Sequence, residues 1–236
     1  MQVLAPHIPD FVVLTPGRSG STFLATLLDS HPGVRSAGEL VGSQAISPGE
    51  PEKALEFVFD RVRNARAQSS KPLFGFKLPI YCVERDPGLA RELFRLGTRC
   101  VVLYRKDKLA MYVSMRLAQI NNEWSSTRRY EIQELEIDIK DMLATMRAFR
   151  RLDALMFELT AGWSRTVASY EACLGDPDVP YIQDFLGVPV VPLSTPTLRA
   201  RTVPLRTAVR NFDEVVAVLK STEFAPLLVL DAGVSA

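Results

Sequence analysis

The chain has 236 residues, of which 47% are hydrophobic and 23% charged. That composition excludes wholesale disorder, and a chain of this length buries roughly 70% of its unfolded surface as one ordinary domain, here 1–236. Its 28 Lys and Arg against 27 Asp and Glu leave a formal charge of +1, which gives no reason to expect nucleic acid as a partner but leaves room for a local basic pocket.

Phe11 to Leu14 (FVVL) is a short apolar run that ends in the turn residues Thr15-Pro16-Gly17, and Thr22 to Leu28 then carries apolar residues at helical spacing. The pattern predicts strand, tight loop, helix. Residues 30–50, rich in Gly, Ser and Pro, read as loop. Pro51 opens a helix over about 52–68. Leu73 to Leu78 is a second strand, and 87–96 a helix closed by Gly97. Arg99 to Tyr104 is a third strand. Asp107 caps a helix running to about Gln119, and a long helix is expected over 131–159. Ser164 to Ser169 is a fourth strand, followed by helices at 178–186 and 212–220. The proline-rich stretch 187–206 reads as an extended loop. Strands that are apolar on both faces and alternate with helices call for a three-layer α/β fold, a central parallel sheet flanked by helices on both faces.

The strongest local signal is Pro16-Gly17-Arg18-Ser19-Gly20-Ser21-Thr22-Phe23-Leu24, between the first strand and the first helix. Unpaired N–H groups and the positive end of the helix dipole meet there, beside hydroxyls and an arginine. By chemistry this is a phosphate-binding loop; the same residues also make an ordinary turn and helix start. The loop is P-loop-like but no Walker A motif, because Gly20 is followed by Ser21 where that motif needs lysine.

"PGRSGSTFL" after an apolar strand, then His31-Pro32 and Gly38-Glu39, resembles the sulfotransferases, which use 3′-phosphoadenosine 5′-phosphosulfate (PAPS) as donor and leave 3′-phosphoadenosine 5′-phosphate (PAP). The resemblance implies that Arg18, Ser19, Gly20, Ser21, Thr22 and Phe23 bind the 5′-phosphosulfate. Arg105 at the end of the third strand and Ser114 nine residues on match the pair that holds the donor's 3′-phosphate. Tyr170-Glu171, the Phe185-Leu186-Gly187 helix end and the tail from Pro204 to Glu214 resemble the family more faintly. A basic residue ahead of that tail helps to hold the nucleotide, with Arg201 favoured over Arg199 and Arg206.

Sulfuryl transfer asks for a base, for cations that neutralise the bridging oxygen, and for in-line positioning. The resemblance to bacterial and carbohydrate-type members implies Glu39, in "AGEL", as the base. His31 is the alternative, and His7 stands before the first strand. Lys77, in "FGFKLP", is implied as the cation that stabilises the transferring group. The loop 121–130, with Trp124, Arg128, Arg129 and Tyr130, suits an acceptor pocket or a plain surface loop, and the helix after it caps the core or forms a homodimer contact.

The expected function is therefore PAPS-dependent transfer to a hydroxyl of a small-molecule, glycan or lipid acceptor, with no metal. A P-loop kinase or NTPase, and a nucleotide-binding member without turnover, are the rivals. Three widely spaced cysteines, Cys82, Cys100 and Cys173, with only two histidines argue against a zinc site and suit a reducing cytoplasm. No apolar run is long enough to span a membrane, and the first residues do not read as a signal peptide.

Overall fold

The computed structural model describes residues 8–41, 51–124, 128–198 and 200–229. His7, Arg199, 42–50 and 125–127 lie outside them. The chain divides into two compact units, the first Met1–Tyr104 with Leu152–Thr195, the second Arg105–Arg151 with Pro196–Ala236.

The first unit is built on five strands: β1 (Phe11–Thr15), β2 (Val34–Glu39), β3 (Leu73–Pro79), β4 (Arg99–Tyr104) and β5 (Arg165–Ser169). They lie in the order β2-β3-β1-β4-β5, and every pairing is parallel. Successive side chains on a strand face opposite ways, and both faces here are apolar. Val12 and Leu14 of β1, Phe74, Phe76 and Leu78 of β3, and Cys100 and Val102 of β4 join one core. That core takes in Val58 and Val62 of α2 (Pro51–Ala67), Cys82 and Val83 of α3 (Ile80–Arg85), and Leu89 and Leu93 of α4 (Pro87–Arg95). Phe11, Val13, Val101 and Leu103 turn to the other face. There they meet Leu24 and Leu28 of α1 (Ser21–Ser30), Cys173 of α7 (Tyr170–Gly175), and Ile182 and Leu186 of α8 (Pro180–Leu186). The expected α/β fold with helices on both faces is present.

Strand order explains which helix covers which face. From β1 the chain crosses β3 to reach β2, with α1 on one face. It then returns through β3 and over β1 to β4 with α2, α3 and α4 on the other face, as right-handed crossovers require. The carboxyl ends of β1 and β4 therefore flank the point where the chain's direction across the sheet reverses, the usual ligand position in open α/β sheets.

Several elements differ from the sequence expectations. Residues 34–39, expected as loop, form the edge strand β2; its sequence VRSAGE is too small and polar to read as a strand, yet Val34, Ser36 and Ala37 are buried. The sheet thus has five strands where four were expected. The helix expected over 131–159 begins only at Ile139, as α6 (Ile139–Leu159). Leu135 before it bridges to Val209, with Leu135 N donating to Ala208 O and Arg210 N to Leu135 O. Asp138 then starts the helix, its carboxylate accepting from Asp141 N at 3.0 Å.

The second unit has its own core. Leu109, Tyr112, Val113 and Leu117 of α5 (Lys108–Ile120) pack with Met142, Met146 and Phe149 of α6, Leu205 of α9 (Leu205–Ala208), and Val215 and Leu219 of α10 (Phe212–Lys220). Two asparagines fix its irregular chain. Asn121 exchanges hydrogen bonds with the backbone of Ile132, and Asn211 with that of Ile137, all at 2.8–2.9 Å. Asp107 caps α5 as expected, accepting from Ala110 N at 2.8 Å.

Cys82, Cys100 and Cys173 are free and buried. Burial pushes their thiols up, Cys82 and Cys173 to about 11 and Cys100 to about 12, from an ordinary 9.0. Native protein at pH 8 should leave all three unlabelled by a thiol reagent, and unfolding in urea should expose all three. The folded chain keeps protons that the unfolded chain sheds above pH 9. Stability is therefore whole below that pH and falls as pH rises toward 11, by about 1 kcal/mol per thiol per unit. Urea midpoints at pH 8 and pH 10 check the sign.

Candidate active site

The loop after β1 keeps its shape through two left-handed residues, Arg18 (φ 64°) and Gly20 (φ 86°). Arg18 adopts a conformation unusual for a side-chain-bearing residue, and the strain has to be held by its surroundings. Ser19 does much of the holding. It is fully buried, and its hydroxyl donates to Pro16 O at 2.9 Å and also hydrogen-bonds the Thr15 hydroxyl. Its side chain therefore builds the loop from within, while Ser21 and Thr22 at the start of α1 remain partly exposed.

Gly20 has a second reason to be glycine. The ring of Tyr170 lies against it so closely that a Cβ would stand 2.1 Å from Tyr170 Cδ2. Tyr170 in turn meets Phe23 edge to face, with centroids 6.0 Å apart. The start of α1 is thus wedged by two aromatic rings. Its other end is tied to β2 by Asp29, which accepts from Arg35 Nη1 at 2.9 Å and from Ser36 N at 3.0 Å.

Glu39 and Lys77, singled out separately in the sequence, meet. They are register partners on β2 and β3, and Lys77 Nζ lies 3.3 Å from Glu39 Oε1. The same ammonium donates to Thr22 Oγ1 at 3.2 Å. A register shift brings the two together: Ala37 pairs with Phe76, but Glu39, two residues on, pairs with Lys77, only one residue on. Gly38 is the extra residue of this bulge. Plain alternation would leave Glu39 on the face of Ala37, within the core beneath α2 and α3. The bulge re-aims it toward Lys77 and the start of α1. Lys77 is 8% exposed, whereas the Glu39 side chain is 46% exposed. A buried cation thus faces a carboxylate that solvent and a second molecule can reach.

Tyr81, in α3 just beyond β3, was not picked out from sequence. Its hydroxyl is hydrogen-bonded to Glu39, and burial together with the Glu39 charge pushes it up to about 12, so it stays a donor at working pH. A lone tyrosine in a helix carries no sequence signal for such a role.

His31 is 2% exposed and has no nitrogen to spare. Nδ1 accepts from Gly33 N at 2.9 Å and Nε2 lies 3.0 Å from Pro189 O, an arrangement that takes the neutral Nε2–H tautomer. In the second unit, Arg105 directly follows β4 in the chain. Its carbonyl accepts from the Lys108 ammonium, itself 4% exposed. Ser114 lies in α5, half-buried, and Arg201 donates to Val203 O. Trp124 is 54% exposed. Among the described residues, no group of three or more His, Cys, Asp or Glu could hold a metal ion, and no helix is long and apolar enough to cross a membrane.

No family model matches the sequence. The chain is 26% identical over 222 aligned residues to Nodulation protein H of Rhizobium meliloti, covering 87% of this chain and 89% of that protein. Among solved structures it is similar to a sulfotransferase from Alicyclobacillus acidocaldarius, with a TM-score of 0.56 at 15% identity over 94% of this chain and 93% of that one. It is also similar to the sulfotransferase domain from the curacin biosynthetic pathway, with a TM-score of 0.51 at 15% identity over 78% and 76% of the two chains. The fold is that of the sulfotransferases, and the resemblance read from the loop holds at that level.

Gly20→Ala should be costly twice over, through its left-handed backbone and through collision with Tyr170. Together these come to about 2–4 kcal/mol, or a Tm lower by roughly 5–10 °C. Removing the ring in Gly20→Ala/Tyr170→Ala should recover the collision part, so the two changes should couple favourably in a double-mutant cycle measured by thermal unfolding. Strict additivity would show that the ring does not press on the loop.

Proposed function

We propose that the chain is an enzyme that transfers a sulfuryl group from PAPS to a hydroxyl of a small-molecule, glycan or lipid acceptor. The observation that carries this is the Lys77 ammonium, buried and held between Thr22 of the phosphate-type loop and the accessible carboxylate of Glu39. Cation, loop and base are the three things that sulfuryl transfer asks for. The cradle fits a phosphosulfate: the left-handed turn at Arg18 and Gly20 leads straight into α1, and Ser21 and Thr22 stand partly exposed at its start.

In this mechanism Glu39 takes the proton of the acceptor hydroxyl as its oxygen attacks sulfur. The bond from sulfur to the bridging oxygen breaks, and the electron pair stays on the 5′-phosphate of the departing PAP. Lys77 and Arg18 neutralise charge on that phosphate side, and the N–H groups at the start of α1 orient it. Arg105, Ser114 and Arg201 are assigned to the rest of the nucleotide from their order in the sequence and the family resemblance. His31, with both nitrogens engaged, is the weaker candidate for the base. The free, buried thiols suit a reducing compartment such as the cytoplasm.

Thermal unfolding with PAP, 5′-AMP and magnesium-ATP is the first test. A ligand at 100 times its Kd stabilises by about 2.7 kcal/mol, a rise of roughly 5–10 °C, and it is expected with PAP alone. A rise with magnesium-ATP instead would move the chain to the kinases. Glu39→Gln should lower kcat about 10²- to 10⁴-fold, and Lys77→Met about 10²- to 10³-fold. PAP should stabilise Glu39→Gln at least as well as it does the wild type. Wild-type turnover in either variant would remove that residue from the mechanism.

A further inference from the structure

Lys77 has two partners of different standing. Glu39 is an anion, and Thr22 is a hydroxyl on the loop. Because Thr22 Oγ1 accepts from Lys77, its own hydrogen remains to be donated elsewhere. Glu39 is the carboxylate that compensates this nearly buried ammonium. An anion arriving at Thr22 would offer that ammonium a second negative partner, one hydroxyl away.

Glu39 is not abandoned if the ammonium turns toward the loop. The Tyr81 hydroxyl still holds it, and its side chain stays half in solvent. The carboxylate oxygen engaged by Lys77 then becomes available to accept the acceptor's proton.

We propose that Thr22 and Lys77 link occupancy of the loop to the freedom of Glu39. In the empty protein Lys77 pins the Glu39 carboxylate; an anionic donor draws the ammonium onto itself and releases Glu39. Thr22 is the positioning residue of this link, and the enzyme takes its donor before its base is free to act. The inference rests on the sulfotransferase function proposed above.

The test is zero-length cross-linking of the full-length protein with a water-soluble carbodiimide and an added small amine, read by peptide mass spectrometry, with and without PAP. In the free protein Glu39 should couple mainly to Lys77. At PAP concentrations shown by calorimetry to saturate, the Glu39–Lys77 cross-link should fall and coupling of Glu39 to the added amine should rise. Their ratio should change at least about fivefold, the lower end of ordinary coupling between sites. Simple shielding by the ligand would lower both products together, which would overturn the link, as would an unchanged ratio or the absence of any cross-link in the free protein. In Thr22→Val at saturating PAP the exchange should be lost; a wild-type exchange would remove Thr22 from the link. Failure of PAP to bind at all, seen in the calorimetry, would instead overturn the proposed function and this inference with it.

Discussion

An ammonium group taken out of water has to find compensating partners, and the candidate site is arranged around that demand. Lys77 lies inside a parallel sheet, where strands are apolar on both faces. Its neighbours on β3 supply nothing polar. Compensation comes from the adjacent strand, as Glu39, and from the helix above, as Thr22. Each of these depends on a separate feature of the backbone. Glu39 arrives by the bulge at Gly38, and Thr22 by the tight turn that starts α1 directly beyond β1.

The turn carries its own cost. Two left-handed residues in three positions is a conformation that an isolated peptide would leave. Here it is enforced from both sides, by the Ser19 hydroxyl bonded inward to Thr15 and Pro16 and by the Tyr170 ring packed onto Gly20. Strain held in this way keeps the loop's N–H groups aimed, so the proposed donor would have less of the loop left to order. Sheet order then fixes where the loop emerges, beside the reversal between β1 and β4.

Much of this was legible in the sequence, and the limits are physical ones. The loop announces itself because glycine, hydroxyls and a cation are contiguous there. Continuous apolar runs gave away β1, β3 and β4, since buried parallel strands have no polar side. The edge strand β2 escaped because its buried positions include Ser36 and Ala37, small residues equally at home in a loop. The segment before α6 was misread as helix because Leu135 falls on the helical period; a backbone bridge to Val209, distant in sequence, overrides that local signal. Glu39 and Lys77 were each identifiable by type and resemblance, but their pairing was not, since it turns on the bulge. Tyr81 acts through a contact between distant segments and nothing in the local pattern marks it; Tyr170 was marked by its resemblance to the family, but its packing onto Gly20 was not legible.

The bulge also sets which kind of genetic change the site tolerates. Gly38 has open space around it and an ordinary backbone, so a larger residue there fits without a clash. Losing the residue altogether restores plain alternation, and Glu39, now directly after Ala37, still falls opposite Lys77 on the face of that ammonium. Gaining a residue is another matter. With one position added beside Gly38 and the one-residue bulge kept, Glu39 would fall opposite Leu78, on the face away from Lys77, while the ladder before it stays intact. The result would be a folded protein whose buried cation has lost its carboxylate. For this strand the reading frame of side-chain alternation, more than the identity of the spacer residue, is what a lineage has to preserve.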